Sequence, residues 1–215
     1  MATERLRITE IFYSLQGEAE TVGWPSIFIR LTGCPLRCDY CDTRYAFQGG
    51  EWWTLEAVLE EVKKFQTAYV TVTGGEPLAQ KNCLPLLVML CDDGYQVSLE
   101  TSGALDISAV DKRVVTVMDI KTPSSGEVDK NRWDNVSVLK PVDQVKLVIA
   151  NREDYDWAVA VLRQYQLPQK CTVLFSPVQG QLAPQQLADW ILQDQLPVRF
   201  QIQLHKYLWD NTPGR

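Results

Sequence analysis

The chain has 215 residues, 46% of them hydrophobic and 22% charged, with a formal net charge of −6. These proportions suit a folded globular protein and exclude a disordered or fibrous one, and the acidic balance argues against an extended nucleic-acid surface. The opening M-A-T-E-R-L-R-I-T-E lacks an apolar signal core and no run reaches the ~18 apolar residues of a membrane span, so one cytoplasmic domain over residues 1–215 is expected.

Arg7 to Tyr13, with apolar Ile8, Ile11 and Phe12, predicts a short first strand, and the polar S-L-Q-G-E breaks it at Gly17. Ser26 to Thr32 (S-I-F-I-R-L-T) has the β-branched and aromatic content of a buried strand, in which Arg30 must find an anion. The next stretch, Gly33 to Asp42, reads G-C-P-L-R-C-D-Y-C-D and sets Cys34, Cys38 and Cys41 in a C-x3-C-x2-C array at the strand's carboxyl end. Three thiols are an odd number, and their spacings are too short for two unstrained disulfides, so a metal centre is the better reading. Structural zinc wants four protein ligands, and the one histidine, His205, is far off in sequence. A 4Fe-4S cluster held by three cysteines leaves one iron open for chemistry; zinc is the alternative. Cys83, Cys91 and Cys171 stand singly among apolar residues and are expected to behave as small buried hydrophobes.

After an aromatic stretch from Tyr45 to Trp53, Thr54 is a fitting N-cap for a helix to about Phe65 with Leu55, Val58, Leu59 and Val62 inward. Ala68 to Thr73 predicts the next strand, ending in Gly74-Gly75-Glu76-Pro77, where a glycine pair allows close approach to backbone. A helix over Asn82 to Cys91 stops at Asp92-Asp93-Gly94. Strands follow at Gln96 to Glu100 and Val114 to Ile120, then at Val142 to Ala150; a helix over Arg152 to Tyr165 precedes a strand at Cys171 to Phe175. A last helix spans Gln185 to Gln193, and a final strand, Arg199 to Leu204, runs into His205-Lys206. This alternation predicts an α/β fold with a parallel sheet. Eight βα units need about 250 residues, so the expectation is a partial barrel of about six parallel βα units with extra N- and C-terminal strands. The segment Leu105 to Arg113 has room for barely two helical turns, and Ser124 to Lys140 is polar and weakly periodic.

The cysteine array with Tyr40 before its last member, followed at the next strand end by T-G-G-E-P, resembles the radical S-adenosylmethionine (SAM) superfamily. L-Q-G-E, the C-D-T ending of the array, E-T-S-G, D-I-K-T-P and H-K-Y-L-W extend the resemblance to the 7-carboxy-7-deazaguanine synthase family over nearly the whole chain. The resemblance implies a homodimeric partial barrel that converts 6-carboxy-5,6,7,8-tetrahydropterin to 7-carboxy-7-deazaguanine with loss of ammonia, in queuosine biosynthesis. It implies a 4Fe-4S cluster, SAM and Mg2+ as cofactors, and a reductant such as flavodoxin or ferredoxin.

Residue by residue, it assigns Cys34, Cys38 and Cys41 to the cluster and Tyr40 to the adenine side of SAM, with simple packing as the alternative for Tyr40. Gly74, Gly75 and Glu76 match the motif that meets the methionine amino group; Thr101, Ser102, Asp119, Ile120, Lys121, Ser176, Pro177, Val178 and Gln179 match the rest of the SAM site, where each could instead be a capping residue. Leu15, Gln16, Gly17, Arg30, Thr73 and the C-terminal Arg215 match substrate positions. A guanidinium suits the pterin carboxylate, although Arg30 could instead pair with Glu18 or Asp42. Thr43 matches a magnesium ligand and could instead cap the turn after the array. His205 is read as a structural histidine. Two other functions use a similar cluster, a radical activase acting on a partner protein and an electron-transfer iron-sulfur protein; neither accounts for all the motifs.

Overall fold

The computed structural model describes residues 4–210, 212 and 214. Among these residues nine strands form one sheet in the order β3-β1-β2-β4-β5-β6-β7-β8-β9. In chain order they are β1 (Arg5–Leu15), β2 (Pro25–Leu31), β3 (Glu51–Thr54), β4 (Tyr69–Gly74), β5 (Gln96–Thr101), β6 (Val115–Ile120), β7 (Gln144–Ile149), β8 (Thr172–Pro177) and β9 (Arg199–Phe200). From β2 through β9 all neighbouring pairs are parallel, while β1 runs antiparallel to both β2 and β3. Five helices accompany them: α1 (Leu55–Val62), α2 (Cys83–Asp92), α3 (Arg152–Gln164), α4 (Pro184–Gln193) and α5 (Leu204–Trp209).

Period-two alternation divides each parallel strand. Ile27, Ile29 and Leu31 of β2, Val70 and Val72 of β4, Val97 and Leu99 of β5, and Val145, Leu147 and Ile149 of β7 join one core. That core is completed by Val58 and Val62 of α1, Leu86, Leu87 and Leu90 of α2, Tyr155, Ala158 and Leu162 of α3, and Leu187 and Ile191 of α4. The intervening residues Arg30, Thr73, Glu100, Asp119 and Lys146 line a cavity on the other face. Cys83 and Cys171 are buried in the core and Cys91 packs partly buried against it. Thr54 caps α1, its hydroxyl accepting from the Ala57 N–H at 3.2 Å.

The β1–β2 connection does not stay on the outside. Gln16 Nε2 donates to Thr71 Oγ1 at 3.1 Å, Lys146 Nζ donates to Glu18 Oε2 at 2.7 Å, and the Glu20 N–H donates to Gln144 Oε1 at 2.9 Å, so the segment crosses the interior from β4 to β7. Buried Ala19, with φ of 63°, lies in the left-handed region where the segment turns.

Four segments differ from the sequence expectation. Glu51–Thr54, which spans the end of the aromatic stretch and the Thr54 cap, where no strand is expected, is a strand pairing with the start of β1. Leu105 to Arg113 contains turns and no helix, and Ser124 to Lys140 contains only short 3-10 turns, so the crossover from β5 to β6 and much of that from β6 to β7 lack the helix of a full βα unit. The last strand stops at Phe200, and Leu204 already belongs to α5. The Gln201 N–H still donates to the Phe175 carbonyl at 3.0 Å, but the next ladder position on β8 is Pro177, which has no N–H to offer.

Leu99 is fully buried between sheet and helices. Leu99→Ala is expected to lower unfolding stability by about 2–5 kcal/mol in a denaturant titration, whereas Leu192→Ala, at a residue 74% exposed, should change it by less than about 0.5 kcal/mol.

Candidate active site

The parallel strands end around a cavity of about 480 Å³, and the cysteine array forms one wall of it. Gly33, at φ +98°, turns the chain out of β2, and the loop after it is fixed by backbone. Gly33 N–H donates to the Ala46 carbonyl at 2.8 Å, Glu76 N–H to the Gly33 carbonyl at 2.8 Å, and Asp39 N–H to the Ser125 carbonyl at 3.0 Å. Arg37 Nη1 donates to the carbonyls of Cys34 at 2.7 Å and Leu36 at 2.6 Å, and its guanidinium lies 4.4 Å from the Phe47 ring centroid. Cys34, Cys38 and Cys41 are free thiols on the cavity wall. Burial pushes the Cys34 thiol up and Cys38 up to about 11, so a metal centre binding there must displace protons. Among the described residues no three His, Cys, Asp or Glu side chains converge as a single metal ion would require. A cuboidal cluster, which gives each thiolate its own iron, does not ask for that convergence.

The glycine pair has a use the motif alone did not reveal. A Cβ on Gly75 would stand 2.3 Å from the Gly33 carbonyl oxygen and 2.8 Å from Cys34 Cβ, and one on Gly74 would stand 2.3 Å from the Leu31 carbonyl oxygen. The end of β4 therefore lies directly against the start of the cysteine loop. Glu76 is fully buried and accepts from Thr101 Oγ1 at 2.9 Å, Ser102 N–H at 2.7 Å, the Ser102 hydroxyl and Leu78 N–H at 3.0 Å, locking the end of β5 to that of β4. Tyr40 also lines the cavity; burial pushes its hydroxyl up to about 12, and that hydroxyl lies 3.3 Å from Thr122 Oγ1.

Charged groups occupy the concave side. Arg30 pairs with Glu10 rather than with Glu18 or Asp42, Nε donating to Glu10 Oε1 at 2.7 Å, because the β1–β2 register sets the two residues opposite each other. Its guanidinium carbon stands 5.7 Å from the Phe12 ring centroid and 5.8 Å from that of Tyr45. Glu100 accepts from Thr73 Oγ1 at 2.9 Å and Gln16 Nε2 at 3.3 Å. Burial, with the nearby Glu18 charge, raises the Glu100 carboxyl above its ordinary range. Burial would raise Glu18 as well, but the Lys146 ammonium outweighs it and holds that carboxyl low. Burial disfavours the Lys146 charge, yet Glu18 and Asp119 keep it protonated far above the usual range.

Of the residues singled out in the sequence, Leu15, Gln16, Gly17, Arg30, Thr43, Thr73, Gly74, Gly75, Thr101, Ser102, Asp119, Lys121, Val178 and Gln179 also line this cavity. Ile120 is buried in the core, and Ser176 and Pro177 are buried at the end of β8, off the cavity wall. Arg215 lies outside the described residues. Thr43 precedes a 3-10 turn without capping it; its hydroxyl donates to Asp42 Oδ1 at 3.1 Å. His205 lies against Gly17, where a Cβ would meet its Nδ1 at 2.1 Å, and burial lowers its pKa, leaving a neutral ring.

Sequence reasoning missed Lys146 and Gln203 on the cavity wall and the reach of Glu18 into it. Lys146 was detectable by the argument that found Arg30, a lone cation in the apolar strand Q-V-K-L-V-I. Asp119 Oδ1 is buried and has no hydrogen-bond partner among the described residues, an acceptor left for a ligand hydroxyl. Free thiols, a backbone edge at Gly74 and this acceptor on one cavity fit an iron-sulfur cluster with SAM bound beside it.

The profile of the Radical SAM superfamily matches residues 28–119. The chain is 45% identical over 214 residues to the 7-carboxy-7-deazaguanine synthase of Chlorobaculum tepidum, covering 98% of this chain and 97% of the relative. It is 42% identical to that of Koribacter versatilis, over 95% of this chain and 97% of the relative. The crystal structure of QueE from Escherichia coli superposes with a TM-score of 0.78 over 94% of this chain and 95% of that one, at 21% identity, and so shares the fold. Identity at this level over almost the full length, on the fold and cavity just described, means that the chain belongs to the 7-carboxy-7-deazaguanine synthase family of the radical SAM superfamily.

Proposed function

We propose that the chain converts 6-carboxy-5,6,7,8-tetrahydropterin to 7-carboxy-7-deazaguanine with release of ammonia, in queuosine biosynthesis. The observation that carries this reading is one cavity whose lining brings together the three-cysteine loop, the Arg30 guanidinium, the half-buried Glu100 carboxyl and the charged Glu18, Lys146 and Asp119. Cys34, Cys38 and Cys41 hold the cluster, and Tyr40 packs on the adenine side of SAM. When bound, cluster and SAM supply a radical able to remove one hydrogen atom from the substrate.

The chain's own residues place the two reactants. The backbone at Gly74 and Gly75 offers carbonyls to an ammonium, while Glu76 fixes Thr101 and Ser102 beside it. Asp119 accepts a hydroxyl at Oδ1, Lys121 supports the same carboxylate from 3.1 Å, and Val178 and Gln179 complete the wall, while Ile120, Ser176 and Pro177 support it from the buried side. Leu15, Gln16, Gly17 and Thr73 frame the pterin, Arg30 takes its carboxylate, and the chain end at Arg215 closes over it. Thr43 offers its oxygen to Mg2+, a reading supported by the absence of a capping bond; a hard cation there would neutralise charge on the substrate's oxygens. The chain acts as one domain over residues 1–215, consistent with its single continuous sheet, and as a cytoplasmic homodimer served by a flavodoxin or ferredoxin. No helix among the described residues is long and apolar enough to cross a membrane.

Anaerobic mixing of reconstituted protein, SAM, dithionite and the pterin is expected to yield 7-carboxy-7-deazaguanine and 5'-deoxyadenosine by mass spectrometry; 5'-deoxyadenosine with the pterin unchanged would overturn the substrate. Cys34→Ala, Cys38→Ala, Cys41→Ala and Gly75→Ala should each abolish or sharply reduce iron-sulfur absorption, and Cys83→Ala, Cys91→Ala and Cys171→Ala should retain it. Arg30→Ala should weaken pterin binding about ten- to a hundredfold, the worth of a charge-assisted contact of roughly 1.5–3 kcal/mol, with the cluster intact. In chelator-treated protein Mg2+ should stimulate the wild type and leave Thr43→Val unaffected, and equal stimulation of both would remove Thr43 from the metal site.

A further inference from the structure

Lys146 belongs to none of the recognised motifs, yet it stands between the two halves of the cavity. Asp119 on β6 and Lys146 on β7 are register partners, both on the concave face near the strands' carboxyl ends. Lys146 Nζ lies 3.5 Å from Asp119 Oδ2 and 2.7 Å from Glu18 Oε2. Asp119 is also 3.1 Å from Lys121 Nζ, and its other oxygen, Oδ1, is buried with no partner among the described residues. Glu18 sits on the β1–β2 connection beside Gln16 and Gly17; its N–H donates to Gln16 Oε1 at 3.1 Å, and its Oε1 accepts from Gln203 Nε2 at 2.8 Å. One ammonium thus joins a carboxylate on the cofactor side to a carboxylate on the substrate side.

We propose that Lys146 is a positioning residue that couples the two ligand sites, so that binding SAM at Asp119 orders the Glu18 segment that frames the pterin. This rests on the assignments of the preceding section. A hydroxyl donating to Asp119 Oδ1 fixes the carboxylate, the carboxylate fixes the ammonium, and the ammonium fixes Glu18. The first ligand meets the ordering cost of this chain of contacts and the second binds to a network already set, which is positive cooperativity. The same linkage sets the distance between radical and target hydrogen, a quantity on which abstraction depends steeply. Stability alone does not explain the arrangement, because a buried ion pair is commonly no better than apolar packing of similar volume.

The test measures pterin affinity by calorimetry in anaerobically reconstituted protein without reductant, with and without SAM. The wild type is expected to bind pterin about tenfold more tightly with SAM present, within the usual range for coupled sites, and Lys146→Met to bind it equally with and without. With dithionite added, Lys146→Met should still form 5'-deoxyadenosine, while 7-carboxy-7-deazaguanine per 5'-deoxyadenosine falls about tenfold or more. A wild-type affinity that ignores SAM, or a Lys146→Met protein with the wild-type affinity ratio or product ratio, overturns the proposal. If Lys146→Met does not take up the cluster, Glu18→Gln decides: it keeps the shape, removes the charge facing Lys146, and should show the same two losses. A wild type that binds SAM but no pterin would remove the substrate assignment and the coupling together, a result distinct from pterin binding that ignores SAM.

Discussion

Helices α1 to α4 all cover the same face of the sheet, and that asymmetry governs the rest of the molecule. With apolar side chains drawn to the helical side, the charged residues in the middle of the parallel strands, Arg30, Glu100, Asp119 and Lys146, stand on the concave side, where they are half-buried. Each charge placed there needs a partner, and adjacent strands, strand ends and the β1–β2 connection provide them: Arg30 with Glu10, Asp119 with Lys121 and Lys146, and Lys146 with Glu18. The outcome is a polar wall whose one buried carboxylate oxygen without a partner among the described residues belongs to Asp119.

Contact at the ends of β2 and β4 is equally strict. Gly75 abuts Gly33 and Cys34, so the cysteine loop and the G-G-E-P turn form one rigid unit and not two separate motifs. Glu76 extends that unit to β5 through Thr101 and Ser102. A carboxylate inside this turn serves geometry first, since its hydrogen bonds go to the protein.

Most of the barrel was legible because strand and helix periods are local properties; the β-branched runs of β2, β4 and β7 and the Thr54 cap announce themselves. The cysteine array and the glycine pair were legible because chemistry fixes their spacing. Pairings were not. The partner of Arg30 depends on the β1–β2 register, which shifts between Ile8 and Glu10, and no periodicity in the sequence reveals such a shift. Glu18 and Lys146 lie 128 positions apart, and their meeting depends on a loop passing through the barrel. The early end of β9 turned on a proline in the neighbouring strand, a cross-strand effect that is not visible within Arg199 to Leu204 itself.

Helix α5 has no buried residue. Polar contacts tie it to the rest of the protein: Leu204 N–H to the Gly17 carbonyl at 3.0 Å, Lys206 Nζ to Asp42 Oδ2 at 2.6 Å, and, just before it, Gln203 Nε2 to Glu18 Oε1 at 2.8 Å. Detaching such a helix exposes little apolar surface and so carries little heat-capacity change. Its local opening therefore varies gently with temperature and responds instead to ionic strength, which weakens the Asp42–Lys206 attraction while leaving the apolar barrel untouched. Helix α5 and the barrel it is tied to thus answer to different solvent variables, and amide exchange in α5 should follow salt where exchange in β4 and β5 follows global unfolding.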